Sequence, residues 1–249
     1  APRVGQLIAG CMHESGFPSG VFGLVHGDAE VARRLAIHPE VQVIFFTGQY
    51  ETGHKIKKQI LNDHWKTAVL DLGGKNAHVL WEDCDYEKAL YETLYAGFVT
   101  SGQRCHSLSR VVVHHTLADR LVSNLHTLAK QCRVGFGPLE GSNTAFLGPL
   151  MSEATMESYL RYQGIAVREG CEEIMRGKAL ERDKKGYYVS PSIHLVLVPD
   201  RKSVYQREPV PGPNLAIYPV KELEDAIEIL GQTQYGLATS VYCRSSETF

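Results

Sequence analysis

The first third of this chain alternates apolar runs with helical stretches, and that alternation leaves few folds open to it. Val21–Val25, Val41–Thr47 and Thr67–Leu72 read as strands. Between them, Ala29–Ile37 reads as a helix capped by Asp28 and stopped before Pro39. Gly48–Gly53 reads as a loop, followed by a helix to about Trp65. Val4, Leu7, Ile8 and Cys11 form a helical stripe ahead of the first strand. Val41–Thr47 is continuously apolar, the pattern of a parallel strand covered on both faces. Strand–helix–strand units cross over right-handed, so the expected fold is α/β with a doubly wound parallel sheet.

After Gly73-Gly74 the pattern resets. Ala77–Trp81 reads as a short strand, and Asp85 caps a helix running to about Ser101 with Leu90, Leu94 and Phe98 on its stripe. Arg110–His114 is strand-like and Ala118–Cys132 helical. A helix over Met151–Glu169 takes Ser152 as its cap. Ile193–Val198, Leu215–Val220 and Leu237–Cys243 read as strands, with Leu223–Leu230 a helix between the last two. This is a second α/β unit, and the boundary falls within Leu72–Asn76.

Composition narrows the function classes. The net charge is -2, and the densest basic cluster, Lys55, Lys57 and Lys58, reads as a solvated helix face, so no nucleic-acid partner is expected. No apolar stretch approaches the ~18 residues that span a bilayer, so no membrane partner is expected. Ala1-Pro2-Arg3 is neither an initiator Met nor a signal peptide and reads as a cut end. Six scattered cysteines without a C-x-x-C pair suit a reducing, cytoplasmic setting. His13 and His114-His115 have no acid or cysteine at ligand spacing, and no metal is expected.

Three short segments carry chemistry. Phe46-Thr47-Gly48-Gln49-Tyr50-Glu51-Thr52-Gly53 follows a strand and opens a helix, where a pyrophosphate meets backbone N–H groups and a helix N-terminus. An ordinary βα loop with two glycines is the plain alternative. Leu70-Asp71-Leu72-Gly73-Gly74-Lys75-Asn76 puts a carboxylate at a strand end; alone it reads as a turn acid. Ser101-Gly102-Gln103-Arg104-Cys105 puts a cysteine after a helix, with Gly102 allowing an unusual backbone and Arg104 a nearby positive charge that favours a thiolate. A thiol nucleophile and a carboxylate base together make a covalent-catalysis pair.

These motifs, in this order, resemble the aldehyde dehydrogenase family. Phe146-Leu147-Gly148-Pro149-Leu150, Gly186-Tyr187-Tyr188-Val189-Ser190-Pro191 and Glu208-Pro209-Val210-Pro211-Gly212-Pro213 extend the likeness over nearly the whole chain. The wording around Trp81 and Cys105 is similar to the succinylglutamate-semialdehyde and pyrroline-5-carboxylate dehydrogenase branch. The resemblance implies that residues 1–73 are the C-terminal part of a dinucleotide-binding domain and 74–249 a catalytic domain, in a partial chain. It implies a catalytic cysteine at Cys105 and a base at Asp71, where the family usually has glutamate. It implies NAD or NADP held by Thr47, Gly48, Gln49, Gly53, Leu72 and Gly73, a small-molecule aldehyde substrate, and a homo-oligomer.

The implied reaction oxidises an aldehyde, or a semialdehyde, to a carboxylic acid through a thiohemiacetal and a thioester on Cys105. Four departures from the family pattern stand against it. Gln49 replaces a smaller residue at the phosphates, and Asp71 is one methylene shorter than glutamate. Pro209 and Pro211 occupy the places where the family has a ribose-binding glutamate and a phenylalanine beside the nicotinamide. A catalytically impaired homologue with a binding or assembly role, and a cofactor-independent cysteine esterase or thioesterase, therefore remain open readings.

Overall fold

The computed structural model describes residues 2–137 and 144–245, and Ala1 lies outside them. The chain forms two compact units, Ala1–Leu72 and Gly73–Phe249.

The first unit runs α1 (Pro2–Glu14), α2 (Ala29–Ile37), β1 (Val43–Thr47), α3 (Tyr50–Gln59) and β2 (Thr67–Asp71). The cap expected at Asp28 is present: its carboxylate accepts from the N–H groups of Glu30 and Val31 at 3.0 and 3.2 Å. At the other end of α2, the Lys66 ammonium donates to the carbonyls of Ala36 and His38, satisfying a helix C-terminus with a cation. β1 and β2 pair in parallel, from Val43 opposite Thr67 to Thr47 opposite Asp71.

Three expectations for this unit need correction. Val21–Val25 is not a strand, and its valines, Phe22 and Leu24 are exposed. Apolar composition marks a segment that can be buried, but a strand also needs a neighbour to pair with, and among the described residues β1 pairs only β2. β1 is not covered on both faces, since Phe45 is 80% exposed. The loop and the helix after β1 are both shorter than expected: α3 runs from Tyr50 to Gln59 and not to about Trp65, so Gly53 lies inside it.

The second unit is built on a six-stranded sheet of order β10-β3-β4-β9-β8-β5. Its strands are β3 (Asn76–Leu80), β4 (Leu108–His114), β5 (Glu172–Met175), β8 (Ser192–Leu195), β9 (Asn214–Val220) and β10 (Thr239–Tyr242). All neighbours are parallel except β5, which pairs antiparallel at the edge beside β8. A small antiparallel pair, β6 (Ala179–Leu180) and β7 (Tyr188–Val189), stands apart. The helices are α4 (Tyr86–Phe98), α5 (His115–Gln131), α6 (Glu153–Arg168), α7 (Val204–Arg207) and α8 (Leu223–Leu230).

Both faces of this sheet are covered, and the side-chain alternation shows how. Val111 and Val113 of β4 enter one core with Leu90 and Phe98 of α4 and Leu121 and Leu125 of α5. Val112 enters the opposite core with Tyr159 of α6 and Ile229 of α8. Consecutive β-residues point to opposite faces, so one continuous valine run serves both layers. Each fully buried side chain of this size contributes roughly 1.5–3 kcal/mol. Asp85 and Ser152 cap α4 and α6 through their side chains, as their positions predict. α4, however, ends at Phe98 rather than near Ser101, and β5 is an element its two glutamates do not announce.

Candidate active site

In the second unit, Asn76 opens β3, Leu108 opens β4, Asn214 opens β9 and Thr239 opens β10. These strands are parallel, so the segments preceding them converge on the amino end of the sheet. Cys105 precedes β4, Gly212 precedes β9, Ala238 precedes β10 and Gly73-Gly74 precede β3. The cysteine is thus carried by the edge opposite to the carboxyl end where open α/β sheets usually bind ligands.

The turn that presents Cys105 is locally costly and externally held. Val99–Gly102 forms a tight 3₁₀ turn in which Thr100 and Ser101 both have φ of 56°. Non-glycine residues in the left-handed region cost on the order of 1 kcal/mol each and persist when the surroundings over-determine them. Gly102 continues the turn at φ 66°, and a Cβ there would lie 2.3 Å from the Gly212 carbonyl oxygen. Gly212 in turn faces the Tyr159 ring, 2.5 Å from where its own Cβ would stand. The turn is fastened on its other side as well. Ser101 Oγ donates to the Gly148 carbonyl at 2.8 Å, and Gln103 accepts from the Met151 N–H at 2.9 Å.

Asn76 closes the arrangement. Its amide nitrogen donates to the carbonyls of Cys105 and Ser107 at 3.0 and 2.9 Å, and its oxygen accepts from the Ala238 N–H at 3.0 Å. The Arg104 N–H donates to Ser107 Oγ at 3.0 Å. The backbone on both sides of Cys105 is therefore pinned while its side chain stays exposed. A Cβ on Gly73, at φ 73°, would come within 4.0 Å of Cys105 Cβ, so Gly73 borders the thiol. The Arg104 guanidinium takes a course not expected from the sequence, donating to Thr100 Oγ1 at 2.9 Å. The ring beside Cys105 Sγ is that of His106, with Nδ1 3.8 Å away.

Behind this turn lies a buried cation. Lys75 is 1% exposed, and its ammonium donates to the carbonyls of Tyr205 at 2.8 Å and of Glu208. Burial, with the Arg110 charge adding to it, lowers its pKa to about 7. Arg110 donates to the Lys75 carbonyl at 2.9 Å. The Gly73–Asn76 motif is thereby tied to the Glu208–Pro213 segment that supports Gly102.

In the first unit, Thr47 and Asp71 end the two strands side by side, and the Gly48 N–H donates to the Asp71 carbonyl at 3.0 Å. Asp71 ends β2 at the carboxyl end of the sheet and is exposed. Gln49 is the N-cap of α3 and supplies no side-chain cap, which leaves that terminus suited to a phosphate. Gly53 serves close packing: a Cβ there would meet Leu72 Cδ2 at 2.3 Å. In the first unit the Gly48 N–H is already engaged, which leaves the uncapped start of α3 at Gln49 as the part of the loop that could meet an anion. In the second unit Pro209 and Pro211 have neither a carboxylate nor an aromatic face, and the neighbouring Glu208 carboxylate accepts from Tyr235 OH at 2.9 Å. Among the described residues no group of histidines, cysteines and acids is arranged to hold a metal ion, and no helix is long and apolar enough to cross a membrane.

Three residues of the site escaped the sequence reading. Asn76 was visible only as the last letter of a motif, Gly212 only as a glycine between prolines, and His106 had no separate signal beyond following Cys105.

The sequence matches the aldehyde dehydrogenase family over residues 1–249. Malonate-semialdehyde dehydrogenase 1 of Oceanobacillus iheyensis is 33% identical over 248 residues, 99% of this chain and 50% of that protein. The 1-pyrroline-5-carboxylate dehydrogenase of Bacillus licheniformis is 32% identical over 253 residues, 99% of this chain and 48% of that one. The chain thus spans about half the length of the curated relatives it matches. An aldehyde dehydrogenase structure from Bartonella henselae superposes with a TM-score of 0.90 at 28% identity, covering 100% of this chain and 51% of that one. A point mutant of Staphylococcus aureus betaine aldehyde dehydrogenase, in complex with NAD+ and with a BME-modified cysteine, gives a TM-score of 0.89 at 28% identity, over 97% and 49%. The match over the full sequence and the parallel α/β fold agree: this chain belongs to the aldehyde dehydrogenase family.

Proposed function

We propose that the protein carrying this chain oxidises an aldehyde to a carboxylic acid, with Cys105 as nucleophile and Asp71 as base. The observation that carries the reading is the turn before β4, which spends three consecutive left-handed residues to hold an exposed thiol between pinned carbonyls. In this reading the Cys105 thiolate adds to the aldehyde carbon and forms a thiohemiacetal. NAD or NADP, when bound, supplies the hydride acceptor, with Gly48 and Gln49 at its phosphates, Thr47 ending the strand before them, Gly53 packing α3 against Leu72, and Leu72 and Gly73 following the base. Asp71 takes a proton from the water that hydrolyses the Cys105 thioester. The division into a dinucleotide-binding part, residues 1–73, and a catalytic part, residues 74–249, belongs to the same proposal, as do a homo-oligomeric state and a cytoplasmic location.

The names of the relatives suggest malonate semialdehyde and 1-pyrroline-5-carboxylate as first substrates. The test follows reduced cofactor with either compound and with NAD or NADP. Cys105→Ser is expected to abolish turnover, and Asp71→Asn to preserve a single burst of reduced cofactor while losing steady-state turnover. Undiminished oxidation by Cys105→Ser sinks the reading. Pro209 and Pro211 favour a second reading, a homologue impaired in cofactor use. That reading gains if no aldehyde yields reduced cofactor and neither NAD nor NADP shows binding by calorimetry. Hydrolysis of an activated ester in the absence of cofactor would favour instead a thioesterase-like use of Cys105.

A further inference from the structure

We infer that Lys75 is a positioning residue that locks the Cys105 turn, so that the turn opens only when the Lys75 side chain leaves its buried seat. The inference deepens the nucleophile reading above and rests on it. Lys75 is 1% exposed, and its ammonium donates to the carbonyls of Tyr205, at 2.8 Å, and of Glu208, at the end of α7. Glu208 begins the short segment that runs to Gly212. Pro209 and Pro211 within it have no N–H to donate, so the segment is anchored through carbonyls and packing. Its other end bears on the nucleophile turn. A Cβ on Gly102 would stand 2.3 Å from the Gly212 carbonyl oxygen, backbone against backbone, and Gly212 is itself backed by the Tyr159 ring. Asn76, the residue after Lys75, holds the carbonyls of Cys105 and Ser107. Two consecutive residues at the entry to β3 thus hold the turn at both ends, Lys75 through Gly212 at Gly102 and Asn76 directly at Cys105.

Freeing Gly102 from Gly212 requires the Glu208–Gly212 segment to move, which breaks the Lys75 bonds and lets water reach the amine. The groups around Lys75 come from several elements. Arg110 lies on β4, Glu208 at the end of α7, and Cys171 just after α6, while the Tyr205 ring centre is 5.5 Å from Nζ. Tyr218 of β9 faces Arg110. Burial raises the Cys171 thiol to about 11 and raises the phenols of Tyr205 and Tyr218 from 10.0. Of the thiol, phenols and amine gathered here, the amine, lowered to about 7, is the one that titrates between pH 7 and 9. In the closed turn it gives up its proton above pH 7, whereas in water it keeps that proton. Opening above pH 7 therefore takes up one proton from solvent and becomes about tenfold rarer per pH unit.

The test follows amide hydrogen exchange at Gln103 and Ser107, whose N–H groups donate to the carbonyls of Thr100 and Arg104 at 3.2 and 3.0 Å within the turn. Where reclosing outpaces exchange, hydroxide catalysis speeds an opened amide about tenfold per pH unit, and the rate follows the open population. In the wild type the two effects should cancel, leaving both amides nearly flat between pH 7 and 9. The Cys132 N–H, bonded to the Ala129 carbonyl at the C-terminal end of α5, is the internal reference and should show the full rise. In Lys75→Met, which has no donor, and in Lys75→Arg, whose cation stays protonated, the turn amides should rise about tenfold per unit as well. Lys75→Arg keeps the experiment decisive if Lys75→Met does not fold. A tenfold rise at Gln103 and Ser107 in the wild type overturns the inference, because the turn then opens with Lys75 in place. Flat profiles in both variants overturn it too, since another group then titrates. Iodoacetamide mapping of the six cysteines tests the nucleophile reading separately. If Cys105 is not the preferentially labelled thiol, that reading fails whatever the exchange profile.

Discussion

Asn76 and Cys105 are joined through a side-chain amide and a main-chain carbonyl, 3.0 Å apart. The residue that opens one strand thereby fixes the turn that presents the nucleophile before the next. The same amide reaches Ser107, and its oxygen takes the Ala238 N–H ahead of β10. Three segments at the amino end of the sheet depend on one side chain that is 4% exposed.

Asn76→Ala should consequently damage both stability and site geometry. It leaves two carbonyls and one N–H without partners in a mostly buried place, at a cost of about 1–3 kcal/mol for each group that water does not reach. A loss of about 3 kcal/mol in urea unfolding is expected, together with slower alkylation of Cys105. Asn76→Asp should fail as well, because a carboxylate cannot donate to the carbonyls of Cys105 and Ser107. Full stability in Asn76→Ala would show that the three contacts are incidental.

Gly102 and Gly137 offer a controlled comparison. Both have left-handed backbone, at φ 66° and 65°. Among the described residues, a Cβ at Gly137 meets nothing within 4 Å, whereas at Gly102 it meets the Gly212 backbone at 2.3 Å. Each alanine substitution carries the left-handed cost of about 1 kcal/mol, but only Gly102→Ala must also move one backbone away from another. Gly102→Ala is expected to lose at least about 2 kcal/mol more than Gly137→Ala in thermal or denaturant unfolding. Equal losses would mean that the Gly102–Gly212 approach relaxes without strain.

The contrast between these two glycines also shows what the sequence could and could not convey. Helix starts were readable, because Asp28, Asp85 and Ser152 act on N–H groups two or three residues away. The central strands were readable, because Val111–Val113 is apolar on both faces and the structure covers both. Cys105 and its motif were readable as a resemblance. The end of α4 was not, since Thr100 and Ser101 leave the helix under contacts from Gly148 and Gly212, residues distant in sequence. β5 was hidden for a similar reason: Glu172 and Glu173 suit an edge strand, where pairing with β8 decides the conformation and local preference does not. Val21–Val25 failed the other way, with strand-like composition and no strand pairing.

Acid should destabilise the second unit through His78 and His194. Burial lowers both pKa values from 6.5 to about 4, with Glu92 opposing the shift at His78 and Asn214 opposing it at His194. Between pH 6.5 and 4 the unfolded chain binds protons that the folded chain refuses, so stability falls as pH falls across that window. Each histidine adds up to about 1.4 kcal/mol per pH unit to the slope. His194→Gln is expected to lose its share of the slope in urea titrations at pH 6.5, 5.5 and 4.5, even if it is less stable throughout. An unchanged slope would count against a neutral buried imidazole at that position.

Lys75 should produce a slope of the same sign on the alkaline side. Its pKa is lowered from 10.5 to about 7, mainly by burial and further by Arg110. Above pH 7 the folded chain releases the ammonium proton while the unfolded chain keeps it, so the cost of burying the charge is full below pH 7 and diminishes as pH rises. Stability therefore increases with pH, by up to about 1.4 kcal/mol per unit. The useful window closes near pH 9, because burial raises the thiols of Cys132 and Cys171 from 9.0 to about 11, and their retained protons act in the opposite sense. Lys75→Met removes the titrating group but also the donor to the carbonyls of Tyr205 and Glu208, so the variant should be less stable at every pH. The slope between pH 7 and 9 separates these two effects. It should be positive in the wild type and flatter in Lys75→Met, and parallel slopes would show that the buried ammonium is not what titrates.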